Sequence, residues 1–255
     1  MNNIELLQSL DLDINRLVLN DLEHFNSGLS ILAGVGSEFP EKFTTKFNEI
    51  SMQVYVKCGF TKPEISLQEW ADTPQKTEEH YIMLIDQQKE ILGGVKLIQD
   101  ISFENSQQEL STNIKTFPVH NEVTGYDYYG KIPFHINNNE VVEIGRLFIN
   151  NSHKKGNVSP AEEVIIGLCF YIKKTMPQIR GAIGVIEKNL ALKLIQNMEH
   201  ISQNQTSAIY TFPDFYPTKE ILESNHSPYF RSDIGIPFFI DTNSYIDRIL
   251  SYYQK

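Results

Sequence analysis

The chain has 255 residues, 41% of them hydrophobic and 11% aromatic, with a formal net charge of −10. That apolar content supplies a sizeable core and excludes a disordered chain, while the acidic balance argues against general nucleic-acid binding. The two cysteines, Cys58 and Cys169, form no Cys-x-x-Cys pair and the histidines are scattered, which excludes a zinc-finger pattern or a disulfide framework; no metal site is expected.

Met1 to Glu5 lacks a basic stretch followed by an apolar run, and no segment approaches the roughly 18 apolar residues of a membrane helix. The expectation is a cytoplasmic protein without integral membrane association. Length predicts one elaborated domain over 1–255, with N-terminal helices (1–58), a long insertion loop (100–139) and a C-terminal extension (about 213–255).

In chain order, Leu6, Leu7, Leu10, Ile14, Leu17 and Leu19 recur at near-helical spacing and predict helix over 1–34. Phe43, Phe47, Ile50, Val54 and Cys58 form the stripe of a second helix, over 41–58, which Gly59 ends. A β-hairpin follows, His80 to Asp86 and Ile91 to Gln99, before the polar stretch 100–139. Its length suits a lid or substrate loop.

Val141 to Ile149 is the clearest strand. Ser159-Pro160-Ala161-Glu162 then reads as a capping box with Pro at N1, opening a helix that stops before Pro177. Arg180 to Ile186 reads as a strand buried on both faces, followed by a helix over Leu190 to Glu199 and a strand over Ser207 to Phe212. A short strand (Ile236 to Ile240) and a helix (Ser244 to Tyr253) close the chain. A hairpin leading into β-α-β-α-β predicts a mixed α/β fold with some parallel pairing.

The surprising residues of the clearest strand are Glu143 and Arg146, because a charge in an apolar central strand needs a partner, a cavity or water. Residues three apart in a regular strand face opposite ways. A bulge at Gly145 would bring both to one side, and bulges favour active sites. One reading makes Glu143 a general base whose burial raises its pKa; the other makes it half of a buried Glu–Arg pair. The next loop holds His153, Lys154, Lys155 and Gly156 beside a helix start. It reads either as an anion site or as a solvated connection. Residues 151–193 carry +4 on an otherwise acidic chain, which fits an anionic ligand or basic helix surfaces.

The strand, basic loop, helix and next strand together resemble the central region of GNAT N-acyltransferases. The stretch Glu143-Ile144-Gly145-Arg146-Leu147-Phe148 is similar to the Glu-x-Ser-Arg-Leu/Phe strand of the acyl-homoserine-lactone (autoinducer) synthases and long-chain N-acyl amino acid synthases. Val54-Tyr55 with Gly59-Phe60, then Glu69-Trp70-Ala71-Asp72, then the hairpin with Gly93-Gly94-Val95-Lys96 follow the same order as in that branch. The resemblance spans roughly residues 47–200. It departs at Ser51 and Lys96, where the homoserine-lactone synthases carry arginine, and at Gly145, where they carry a small hydroxyl residue.

The resemblance implies a GNAT-type mixed, twisted sheet flanked by helices, and transfer of a medium or long acyl group from acyl-carrier protein (ACP) or acyl-CoA to the amine of an amino acid or related small molecule. In that reading Glu143 is the base and Arg146 holds the site geometry. Glu69, Trp70, Asp72 and Phe148 shape the acceptor pocket, while His153, Lys154, Lys155 and Gly156 meet the donor. The thioester is a co-substrate and no bound cofactor is expected. Tyr210 lies near the position where many GNAT proteins place a tyrosine general acid. The alternatives are an acetyl-CoA-dependent GNAT acetyltransferase and a non-catalytic GNAT-like binding module.

Overall fold

The computed structural model describes residues 29–73, 76–86, 88, 90–102, 109, 117, 119, 129–150, 159–187, 208–212 and 235–253. The basic loop with His153, Lys154, Lys155 and Gly156, the expected helix over 190–199, and most of the N-terminal helical stretch and of loop 100–139 lie outside these residues.

A seven-stranded mixed sheet organises the chain, in the order β1-β2-β3-β4-β5-β7-β6. The strands are β1 (Ser30–Val35), β2 (Thr77–Ile85), β3 (Ile91–Asp100), β4 (Val141–Ile149), β5 (Gly181–Glu187), β6 (Ile209–Thr211) and β7 (Gly235–Asp241). The pairs β1–β2, β2–β3 and β3–β4 are antiparallel, β4 and β5 pair in parallel, and β7 lies antiparallel to both β5 and β6. The described helices are α1 (Glu41–Lys57), the short α2 (Leu67–Ala71), α3 (Pro160–Thr175) and α4 (Thr242–Tyr253).

β1 corrects the helical expectation for residues 30–34. Ile31 and Ala33 pack in the cluster that contains α3, whereas Leu32 packs with Phe43 and Phe47 of α1. That two-sided burial is strand alternation, and so short an apolar run carries no helical period to reveal it.

The helices form where their sequence signals stand. α1 buries Phe43, Phe47 and Ile50. It ends in a Schellman motif: Gly59 has φ +73°, Phe60 N–H donates to Tyr55 O (2.8 Å) and Gly59 N–H to Val56 O (3.0 Å). The Tyr55 and Phe60 rings meet at 5.8 Å across it. The predicted capping box at α3 is present, with Ser159 accepting from Glu162 N–H and the Glu162 carboxylate accepting from Ser159 N–H.

The sheet separates two layers. α3 and α4 cover one face, packing on Ile82, Leu84, Val95, Leu97, Val142 and Ala182. The other face carries α1 over β1–β4 and a second cluster, which includes Ile98, Phe117, Val119, Tyr129, Val141, Ile183 and Phe239. Between those two clusters lies the polar group described next. No described helix is long and apolar enough to cross a membrane.

Candidate functional site

The site is built on an irregularity in β4. Val142 and Ile144 pack on the α3 face, and so do Leu147 and Ile149. That change from even to odd positions requires one extra residue. The register supplies it: Lys96 pairs with Gly145 and Gly94 with Phe148, so Val95 alone opposes Arg146 and Leu147. The bulge therefore lies one residue later than Gly145. Its left-handed residue is Arg146, at φ +57°. A side chain in that region costs on the order of 1 kcal/mol and persists where its surroundings hold it.

Those surroundings are visible. The Arg146 guanidinium stacks on the Trp70 indole with its carbon 3.8 Å from the ring centroid, and Nη2 donates to Trp70 O at 2.9 Å. Trp70 is fully buried and donates through Nε1 to Ser51 Oγ on α1 at 2.8 Å. The bulge also frees the Leu147 carbonyl, which accepts from the Tyr55 hydroxyl at 3.0 Å. Thus α1, α2 and β4 are tied together around Arg146, and Glu143, Gly145 and Arg146 come to the same face.

β4 and β5 pair only from Val141↔Gly181 to Glu143↔Ile183, although both strands continue further. Glu143 thus stands on the last paired rung. Its carboxylate accepts from Val119 N–H at 3.0 Å. Burial pushes the Glu143 carboxyl up to about 7, against the opposing pull of the Val119 N–H and the positive charges of Arg146 and Lys96.

Lys96 completes the group from β3. It is 1% exposed, and its Nζ lies 2.8 Å from Glu79 Oε1. Burial draws the Lys96 ammonium below its ordinary value, Glu79 opposing and Arg146 assisting. Burial acts to raise the Glu79 carboxyl, but the Lys96 charge and hydrogen bonds from Lys96, Tyr81 and Thr73 outweigh it and hold it low. Tyr81 donates to Glu79, and burial followed by the Glu79 charge drives its hydroxyl upward. Lys96 is thereby paired with a carboxylate. Arg146 has no described carboxylate at ion-pair distance, and its buried Nε has no hydrogen-bond acceptor.

The expected acceptor residues divide. Trp70 sits against Arg146. Phe148 packs edge-on to Phe47 at 5.0 Å, as part of the α1 core. Glu69 is exposed and caps α2, its carboxylate accepting from Ser66 N–H at 2.9 Å and from Ser66 Oγ at 2.7 Å. Asp72 is the exposed C-cap of the same helix. Tyr210 lies on β6, separated from β4 by β5 and β7, and packs on Phe134 and Phe239. Sequence reasoning left Lys96, Glu79 and Tyr81 out of the site. Lys96 carried the same signal as Glu143, a charge inside an apolar strand; Glu79 lay outside because β2 starts three residues before the expected His80. Among the described residues no cluster of three metal-ligating side chains occurs.

No protein-family model and no curated protein matches the sequence. Solved structures do. The AHL synthase LasI aligns with a TM-score of 0.50 at 13% identity, over 84% of this chain and 90% of its own. TofI, solved in a ternary complex with an inhibitor and MTA, aligns at a TM-score of 0.46 and 12% identity over 85% and 96% of the two chains. FeeM, an N-acyl amino acid synthase from uncultured soil microbes, aligns at 0.47 and 9% over 86% and 94%. At these identities the likeness is one of fold. The chain has a GNAT-type α/β fold, similar in architecture to that of the AHL synthase LasI.

Proposed function

We propose that the chain is an N-acyltransferase that moves a medium or long acyl group from acyl-carrier protein or acyl-CoA to the amine of an amino acid or related small molecule. The observation that carries this reading is the placement of Glu143: a buried carboxyl, poised near neutrality, on the last rung where β4 and β5 pair. A carboxylate in that state accepts a proton from an amine at ordinary pH.

The reaction balances simply. The amine nitrogen attacks the thioester carbonyl, the new C–N bond forms and the C–S bond breaks. Glu143 takes the proton that nitrogen sheds, and the sulfur leaves and is protonated to the thiol. Arg146 and Lys96 provide the positive surroundings that keep Glu143 ionisable despite its burial. A basic loop over 153–156 suits the phosphate of a pantetheine arm or an acidic carrier protein, speeding encounter more than tightening binding.

The test is thiol release by the purified chain from acyl-CoA and acyl-carrier-protein donors of graded length, with a mixture of amino acids, and the amide identified by mass. Amide formation that falls by about 10²-fold in Glu143→Gln is expected. Amide formation from acetyl-CoA alone would favour the acetyltransferase reading. Turnover indifferent to Glu143→Gln would remove Glu143 as the base, and no turnover with any donor would favour a binding module.

A further inference from the structure

Three observations at the β4 bulge converge on how an acceptor is held. First, Gly145 sits between Glu143 and Arg146 on their face of the sheet. A Cβ built on it would meet, among the described residues, only Lys96 O at 3.8 Å and Glu143 Oε1 at 3.9 Å. Those are ordinary contacts, so the position has room for a side chain and lacks one. Its backbone needs no glycine either, since the left-handed residue is Arg146. By contrast, a Cβ at Gly94 would lie 2.6 Å from Ile82 O, and one at Gly184 2.9 Å from Ile144 O. Those two glycines answer to packing; Gly145 does not.

Second, the cations are unequally satisfied. Glu79 takes Lys96, whereas Arg146 keeps a buried Nε without an acceptor. An unmade hydrogen bond at a charged group costs more than at a neutral one. Third, Trp70 covers one face of the guanidinium and takes Nη2. The group is fixed in place, leaving its remaining edge to a planar anion, for which a guanidinium is suited.

We propose that the acceptor is an α-amino acid whose carboxylate docks on Arg146 and whose α-substituent lies over Gly145, so that Gly145 sets which acceptors fit. This rests on the acyltransferase reading above and adds to it the anchor and the specificity position. With the carboxylate on Arg146, the amino group is turned toward Glu143, three residues earlier on the same face. A side chain at 145 would occupy the space between the two.

The protein carries its own reporter, because Trp70 is its single tryptophan and touches Arg146. The experiment follows Trp70 fluorescence on titration with glycine, alanine and leucine, and with methylamine, ethylamine and isopentylamine, the same molecules without the carboxylate, each with and without CoA present. The expected result is a saturable response to amino acids, with the amines at least about tenfold weaker, since the site's polar group is then left unmatched. Arg146→Lys should weaken the amino acids by at least about tenfold more than it weakens the amines. Gly145→Val should weaken leucine at least about tenfold more than glycine, and Gly145→Ser should do so to a smaller degree. Equal binding of amines and amino acids, equal loss for glycine and leucine in Gly145→Val, or no saturable response to any amino acid would overturn the proposal.

The same ligands in the thiol-release assay separate this inference from the reading beneath it. Glu143-dependent acylation of amines that lack a carboxylate would leave the acyltransferase standing and remove the anchor. Selective amino-acid binding without any acylation would do the reverse.

Discussion

Replacing Glu143 by Gln keeps the side chain's shape and a carbonyl oxygen for the Val119 N–H, and removes the ionisable group. The Glu143 carboxyl titrates near 4.5 in the unfolded chain and at about 7 in the fold. Because the folded value is raised, the folded state holds the proton more tightly. This group's contribution to stability is therefore fully present below pH 4.5 and is lost as pH rises through 7. The difference corresponds to about 3 kcal/mol at one pKa unit per 1.36 kcal/mol. Gln pays no such penalty at any pH. Urea denaturation of both proteins should give similar stabilities near pH 5 and a gap widening toward about 3 kcal/mol in favour of Glu143→Gln above pH 8. The variant should be more stable and less active together, as expected where a functional group is held in an unfavourable environment. A stability difference that stays constant with pH, or a Gln variant less stable at pH 8, would refute the burial argument.

Lys96→Met leaves Glu79 half of a buried pair and should cost about 3 kcal/mol in urea denaturation, part of it recovered by adding Glu79→Gln. The same change removes a positive charge acting on Glu143, so the midpoint of the kcat/KM–pH profile, expected near 7 in the unmodified protein and rising with pH, should move upward in Lys96→Met. At Arg146, both Ala and Gly lose the contacts to Trp70, but only Gly relieves the φ of +57°; Arg146→Gly should be the more stable of the two by about 1 kcal/mol in thermal or urea melts. Gly94→Ala should destabilise by about 2 kcal/mol through contact with Ile82 O and Phe47, whereas Gly145→Ala should fold with stability unchanged or slightly improved.

Several parts of this architecture were legible because local chemistry and tertiary packing agree. The Ser159–Glu162 capping box, the Gly59 stop and the Phe43–Phe47–Ile50 stripe each need only a few neighbouring residues to be recognised. β1 was not legible, because Ile31-Leu32-Ala33 is too short for a period, and what makes it a strand is β2 beside it. Glu143 and Arg146 stood out as charges in an apolar strand, and a bulge was the natural way to bring them together. Its register depends on β3, however, so the bulge was placed one residue early, at Gly145. Lys96 became part of the site only when pairing set it opposite Gly145. Glu69 was read only from its family-like position; the structure shows it capping α2.

Acylation of an amine through Glu143 is the step on which the proposed function stands. It is tested most directly by mass spectrometry of lipid extracts from bacteria producing the unmodified protein beside bacteria producing Glu143→Gln at equal soluble levels. New N-acyl amino acids are expected in the first extract and their loss in the second, with the masses giving chain length and acceptor. New N-acyl products of equal abundance in both extracts would contradict it.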